Sequence, residues 1–218
     1  MDHTNINIKN YCTDLYSGIQ YFKNNQMVFL ICIIGFLLNI TSVPLEKLQA
    51  AYVNECLSLG INAMSVGSIF MTCGLIMGSF FFAYFKKLIS NKDILIFGGI
   101  LIGIIYFSLM FIGKIDCIPL RYIVYAIVLC IFGFINSLIG MSVQVTFMAN
   151  TPNEYLGRVG SIFNAMACSS IPVGSFLLAI VLPFLTIIHT YFCVGVITVL
   201  IFIFIGTLKS IKGMEDLD

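Results

Sequence analysis

The chain has 218 residues, 60% of them hydrophobic and only 10% charged, with a mean hydropathy of +1.04. No water-filled surface can be made from that composition, which excludes an ordinary soluble domain. The net charge of +1 points to no acidic partner and no nucleic acid, so what matters is where the positive charges fall.

Residues 1–26 are polar and lack the basic start, short apolar core and small-residue cleavage site of a signal peptide, so they read as an entry segment. Six apolar stretches follow, at 27–45, 61–85, 94–113, 122–148, 159–184 and 187–207, before a polar tail at 208–218. Each reaches the roughly 20 residues that a helix needs to cross a hydrocarbon core. The runs are continuous and lack the dyad alternation of a membrane barrel, so the fold class is all-α and polytopic, with six transmembrane helices.

The first span holds Asn39, Thr41 and Ser42 just before Pro44, with Glu46 and Lys47 at its interfacial end. Ser65, Ser68 and Thr72 precede Gly74 and Gly78 in the second, a GxxxG spacing that lets another backbone approach closely. Gly99 and Gly103 repeat that spacing in the third, which has little polarity beyond Tyr106 and Ser108 and reads as a peripheral support. In the fourth, Gly133, Asn136, Ser137, Gly140 and Gln144 recur at three- and four-residue steps, a small and polar stripe on one helical face. Such a stripe is either the wall of an aqueous cavity or a close helix interface with side-chain hydrogen bonds. The fifth span carries Asn164, Ser169, Ser170, Pro172 and Gly174, and Pro172 predicts a bend that serves either gating or packing. The sixth is nearly all apolar and reads as lipid-facing, with His189 an interfacial or packing residue.

No Asp, Glu, Lys or Arg lies deep in a span, so no proton relay is visible. His3 and His189 stand alone and no C-x-x-C pair occurs, which predicts no metal site and no cofactor. Cys32, Cys73, Cys130, Cys168 and Cys193 read as packing residues within spans, leaving Cys56 and Cys117 as a candidate pair on one side of the membrane. No nucleophile with a base and no acidic pair is present, so an enzyme is not expected.

With residues 1–26 inside, the same side receives Lys9, Lys23, Lys86, Lys87, Lys92, Arg158, Lys209 and Lys212, against Lys47, Lys114 and Arg121 opposite. That distribution predicts both termini in the cytoplasm. The segment Thr151-Pro-Asn-Glu-Tyr-Leu-Gly-Arg158 joins the fourth and fifth spans. Pro152 and Asn153 suit a turn, Glu154 stands near the start of the next helix, and Arg158 lies four residues on. Pro152, Glu154, Gly157 and Arg158 are thus candidates for a hinge contact or a topology anchor.

Gln144, Pro152, Glu154, Gly157 and Arg158, followed by a helix of small residues, resemble the loop between the tenth and eleventh helices of the major facilitator superfamily. The pattern is similar to that of its macrolide-efflux and enterobactin-exporter branch. The stretch Asp14-Leu-Tyr-Ser-Gly-Ile-Gln-Tyr-Phe-Lys23 is similar to the segment that enters the seventh helix there, so the resemblance covers roughly residues 14–207. It implies one six-helix half of a twelve-helix fold, an efflux permease in the cytoplasmic membrane of a bacterium, working on small-molecule cargo by alternating access. The first and fourth helices of each half line the path in that family, and the candidates for cavity polarity are Asn39 in the first span, Asn136 and Gln144 in the fourth and Asn164 in the fifth. The segment from Gly78 to Lys87 lacks the acidic residue and second glycine of the superfamily's loop motif, so the resemblance does not extend to a charge-relay gate there. A rocking carrier needs two such repeats, so the expected partner is an N-terminal six-helix half or a second copy. The start of the chain, which resembles a mid-protein linker, favours the former.

Overall fold

The computed structural model describes residue 21 and residues 25–207. The rest of the entry segment, the tail and the cations they carry lie outside the described residues. Six helices cross the apolar stretches: α1 Gln26–Ala51, α2 Ile61–Leu88, α3 Asn91–Ile112, α4 Ile118–Ala149, α5 Asn153–Val181 and α6 Ile187–Thr207. All six are long and apolar enough to span a membrane, and no strand occurs among the described residues. The architecture is all-helical and multi-pass, as one half of a twelve-helix membrane fold would be.

Two helices overrun the apolar stretches that mark them. α1 continues through Pro44 and then passes into a π-turn at Tyr52–Cys56. Proline removes one ladder donor and loosens the turn before it. Here the carbonyl of Thr41, three residues earlier, accepts a hydrogen bond from the Tyr106 hydroxyl of α3, so the loosened turn is held from outside. α5 starts at Asn153 rather than near 159, with extended Pro152 as its N-cap and Glu154 in its first turn. Glu154, Gly157 and Arg158 are therefore helical, and only Thr151 and Pro152 separate α4's C-cap, Asn150, from α5. Hydropathy marks the part of a helix inside hydrocarbon, whereas the hydrogen-bond ladder runs on into polar residues.

Small residues set the packing. α2 crosses α4 most closely: a side chain at Gly74 would strike the Cys130 carbonyl, one at Gly78 the Phe134 carbonyl, and one at Gly133 the Met71 carbonyl. The buried residues of α2 (Ala63, Gly67, Gly74, Gly78 and Phe82) form a single stripe facing that crossing. α3 packs between α4 and α6, with Gly99 beneath the Phe202 ring and Gly103 opposite Val199 and Gly195. It contributes Leu95, Ile102, Tyr106 and Leu109 to the core, while its outer face exposes Phe97, Leu101, Ile104 and Phe111. α1 lies on α5, with Gly174 against Val43 and Gly35 against Phe163.

The two ends of the bundle differ. One, here the basic end, carries Lys86, Lys87, Lys92 and Arg158. Toward the opposite end, Tyr52, Tyr106, Tyr125 and Tyr191 from four different segments meet, fully buried, with ring centroids 5.2–6.3 Å from a neighbouring ring. Tyr52 donates to the Leu109 carbonyl, and Gln49 donates to the Tyr125 hydroxyl at 2.9 Å. Arg121 closes that end: Nη1 donates to the Leu57 carbonyl at 2.6 Å, while Nε and Nη2 donate to the Ile115 carbonyl, joining two connecting loops. Gly60 supplies the positive φ of 76° that starts α2 after this closure.

Candidate functional site

Large apolar side chains are exposed on α2 (Ile69, Ile76, Phe80) and α5 (Phe176, Ile180) as well as on α3 and α6, but α2 and α5 add polar stripes. On α3 and α6 the exposed large side chains are apolar: Phe97, Leu101, Ile104 and Phe111 on one, Phe192, Ile197, Leu200 and Phe204 on the other. On α2, Ser65, Ser68, Thr72 and Ser79 are exposed at helical spacing, and Ser79 touches Ser137 of α4 beside the glycine crossing. α5 bears a comparable stripe of Gly157, Ser161, Asn164 and Cys168, all exposed, with Gly160 beside it. The hydroxyls of Ser68, Thr72, Ser79 and Ser161 each donate to a backbone carbonyl of their own helix three or four residues earlier.

Three helices converge where the stripes approach α1. Gly35 of α1 meets the Phe163 ring at 3.2 Å and the Val143 side chain at 3.5 Å, measured from a Cβ built on the glycine, and Phe163 stacks on Phe147 at 4.7 Å. Asn39 lies one turn beyond Gly35, Asn164 follows Phe163, and Gln144 follows Val143; all three are exposed. Asn39, Gln144 and Asn164 are thus each within four residues of a side chain or backbone at this contact. Asn39 donates back to the Gly35 carbonyl at 2.9 Å, which leaves its amide oxygen available. Asn136 is placed differently, half-buried and donating to Ser42 Oγ at 3.1 Å, so it ties α4 to α1.

The stripe on α4 has two fates along its length. At Gly133 it is pressed on the α2 backbone, and at Ser137 it shares a 2.8 Å hydroxyl contact with Ser79. One turn further, nothing lies within 4 Å of a side chain built at Gly140, and Gln144 is exposed. Gly157 and Gly160 of α5 are equally open. Helix interface and open wall are therefore consecutive segments of one face, and the open segment is nearer the basic end.

Glu46, Glu55, Asp116 and Glu154 are all exposed, and none lies among the four amide positions. No group of three metal-binding side chains occurs among the described residues. Cys56 and Cys117 are both free thiols. Around the connection after α4, the Asn150 amide donates to the Thr146 carbonyl and the Thr151 hydroxyl to the Phe147 carbonyl, so the chain leaves α4 along satisfied acceptors. Tyr21 stacks on Tyr155 at 4.9 Å, bringing the entry segment against the start of α5.

Two features escape a reading by span. The buried tyrosines come from four separate segments, so no local spacing announces them. The α5 stripe was visible in principle, since Gly157, Gly160, Ser161, Asn164 and Cys168 recur at helical steps once the helix is known to begin at Asn153.

The sequence from residue 8 to residue 175 matches the family model of the Major Facilitator Superfamily. The chain belongs to the Major Facilitator Superfamily. No curated protein and no solved structure matches it. Members of this superfamily are transporters rather than enzymes, and this major facilitator is accordingly a multi-pass membrane protein of the transport class. The match runs through α1 to α4 and most of α5, and so includes both the junction at Gly35 and the polar stripes.

Proposed function

We propose that this major facilitator bundle is one half of an efflux permease that exports drug-like or siderophore-like small molecules by alternating access. The observation that carries the reading is the pair of neutral polar stripes on α2 and α5, which α3 and α6 lack. A second six-helix unit would cover the stripes and complete a path past Asn39, Gln144 and Asn164, while Asn136 holds α1 to α4 beside it. Neutral amides among aromatic rings suit a cargo with a large apolar body and few charges. The pattern of Gln144, Pro152, Glu154, Gly157 and Arg158 favours the macrolide-efflux and enterobactin-exporter branch. The excess of lysine and arginine supports a cytoplasmic basic end in a bacterial cell membrane. The closed tyrosine end and the open glycine end then correspond to a bundle poised open to the cytoplasm.

The test is efflux of a fluorescent macrolide-like dye from cells expressing this chain alone, or together with a matching N-terminal six-helix half, with insertion verified in both. Efflux only with the partner is expected. In the same cells Cys168, exposed within the α5 stripe, should lose reactivity toward a maleimide when the partner is present. Efflux by the chain alone would favour a self-assembling carrier. Efflux in neither, with Cys168 equally reactive, would sink the reading in favour of a scaffold that does not transport.

A further inference from the structure

The turn between α2 and α3, at the basic end, holds two cavities that meet. A shallow one of about 690 Å³ is lined by Lys86, Lys87 and Ser90 together with Phe82, Leu88 and Ile89. A narrower one of about 160 Å³ runs between the end of α2, α3 and α4, lined by Phe85, Phe97, Leu101, Ile135 and Leu138. Ile89 belongs to both, so a cationic mouth opens onto an apolar groove.

We infer that this pair of cavities binds one anionic phospholipid, with its phosphate at Lys86 and Lys87 and an acyl chain in the groove toward Leu101. Charge decides the head group. Neither lysine has an acidic or hydrogen-bonding partner among the described residues. The acid that reaches the groove, Asp93, is occupied in the cap of α3: its carboxylate accepts from the Ser90 hydroxyl at 3.1 Å, and its N–H donates to Ser90 Oγ at 3.2 Å. A zwitterionic amine head group would set a third cation beside two lysines, whereas an anionic one neutralises them. The groove decides for a lipid over a soluble phosphate, because Phe97 and Leu101 are 62% and 45% exposed on a helix whose outer face is apolar throughout. From Ile89 to Leu101 a helix rises about 18 Å, room for most of an acyl chain. Basic pockets between membrane helices hold lipid phosphates on these grounds.

The chain contains no tryptophan, so Leu101→Trp creates a single fluorescent reporter in the groove. The full chain would be reconstituted in phosphatidylcholine bilayers containing either brominated phosphatidylglycerol or brominated phosphatidylcholine as quencher, with Leu200→Trp on α6, 60% exposed, as the reporter for bulk lipid. Phe97→Trp replaces Leu101→Trp if the latter does not insert. The expected result is about a tenfold preference for brominated phosphatidylglycerol at the groove, falling to about 1 in Lys86→Gln with Lys87→Gln, and about 1 at position 200 throughout. Excess glycerol 3-phosphate should leave the quenching unchanged. Equal quenching by the two lipids at the groove would overturn the inference, as would a preference that survives loss of both lysines or appears equally at position 200. Displacement by glycerol 3-phosphate would mark a soluble-phosphate site and overturn the lipid assignment.

Discussion

The tyrosine end and the glycine end are built from the same kinds of residue, yet one is sealed and the other open. Toward the first, the hydroxyls of Tyr52, Tyr106 and Tyr125 bond to the backbone or to Gln49, and the four buried rings pack on one another. Toward the second, Gly140, Gly157 and Gly160 face space wide enough to admit side chains. Small and aromatic residues do not by themselves make a seal or a path; what stands opposite them does. A glycine against a carbonyl is a contact, and a glycine against nothing is a wall.

The largest effect should separate two glycines on α4. Gly133→Leu drives a side chain into the Met71 carbonyl and the Leu75 N–H region, backbone that cannot yield, so stability should fall by about 3 kcal/mol or more and folded protein should vanish from a detergent size-exclusion profile. At Gly140 an added Cβ meets nothing within 4 Å, so Gly140→Leu should remain monodisperse, while efflux by the complete assembly drops. Next come two tyrosines of the seal. Tyr52→Phe strands the Leu109 carbonyl and should cost about 1–2 kcal/mol in denaturant unfolding. Tyr191→Phe removes a hydroxyl that has no partner and should cost about 0.5 kcal/mol or less. A similarly small stability change is expected at Asn136: Asn136→Ala breaks the bond to Ser42 and should cost about 0.6 kcal/mol, a typical value for helix–helix hydrogen bonds in membranes. Gln144→Ala should leave the unfolding midpoint in place and lower efflux. If Gln144→Ala destabilised the bundle as much as Asn136→Ala, the boundary drawn between interface and wall would be misplaced.

Much of this was legible in the sequence because hydrocarbon imposes a simple rule on long helices. The six spans and the stripe from Gly133 to Gln144 follow from length and periodicity. The division of that stripe does not, since Gly133 and Gly140 are identical as letters and differ only in whether α2 lies across them. The reach of α1 past residue 45 was hidden because Glu46, Lys47 and Gln49 end the apolar run while the helical ladder continues through them. The start of α5 was placed late because Asn153, Glu154 and Arg158 are polar, although a capping pattern was present in them. The tyrosine seal draws single residues from distant segments, so nothing short of the fold could have assembled it.

Arg121 separates two properties that a tally of positive charges treats as one. Its guanidinium is directed into two loop carbonyls, so it acts as a three-pronged fastener whose charge is incidental to its grip. A lysine there would leave the inside–outside balance of cations unchanged and would still lose the planar fork. Topology reads the number of cations on each side of the bilayer, whereas the loops at this end depend on the direction of individual N–H bonds.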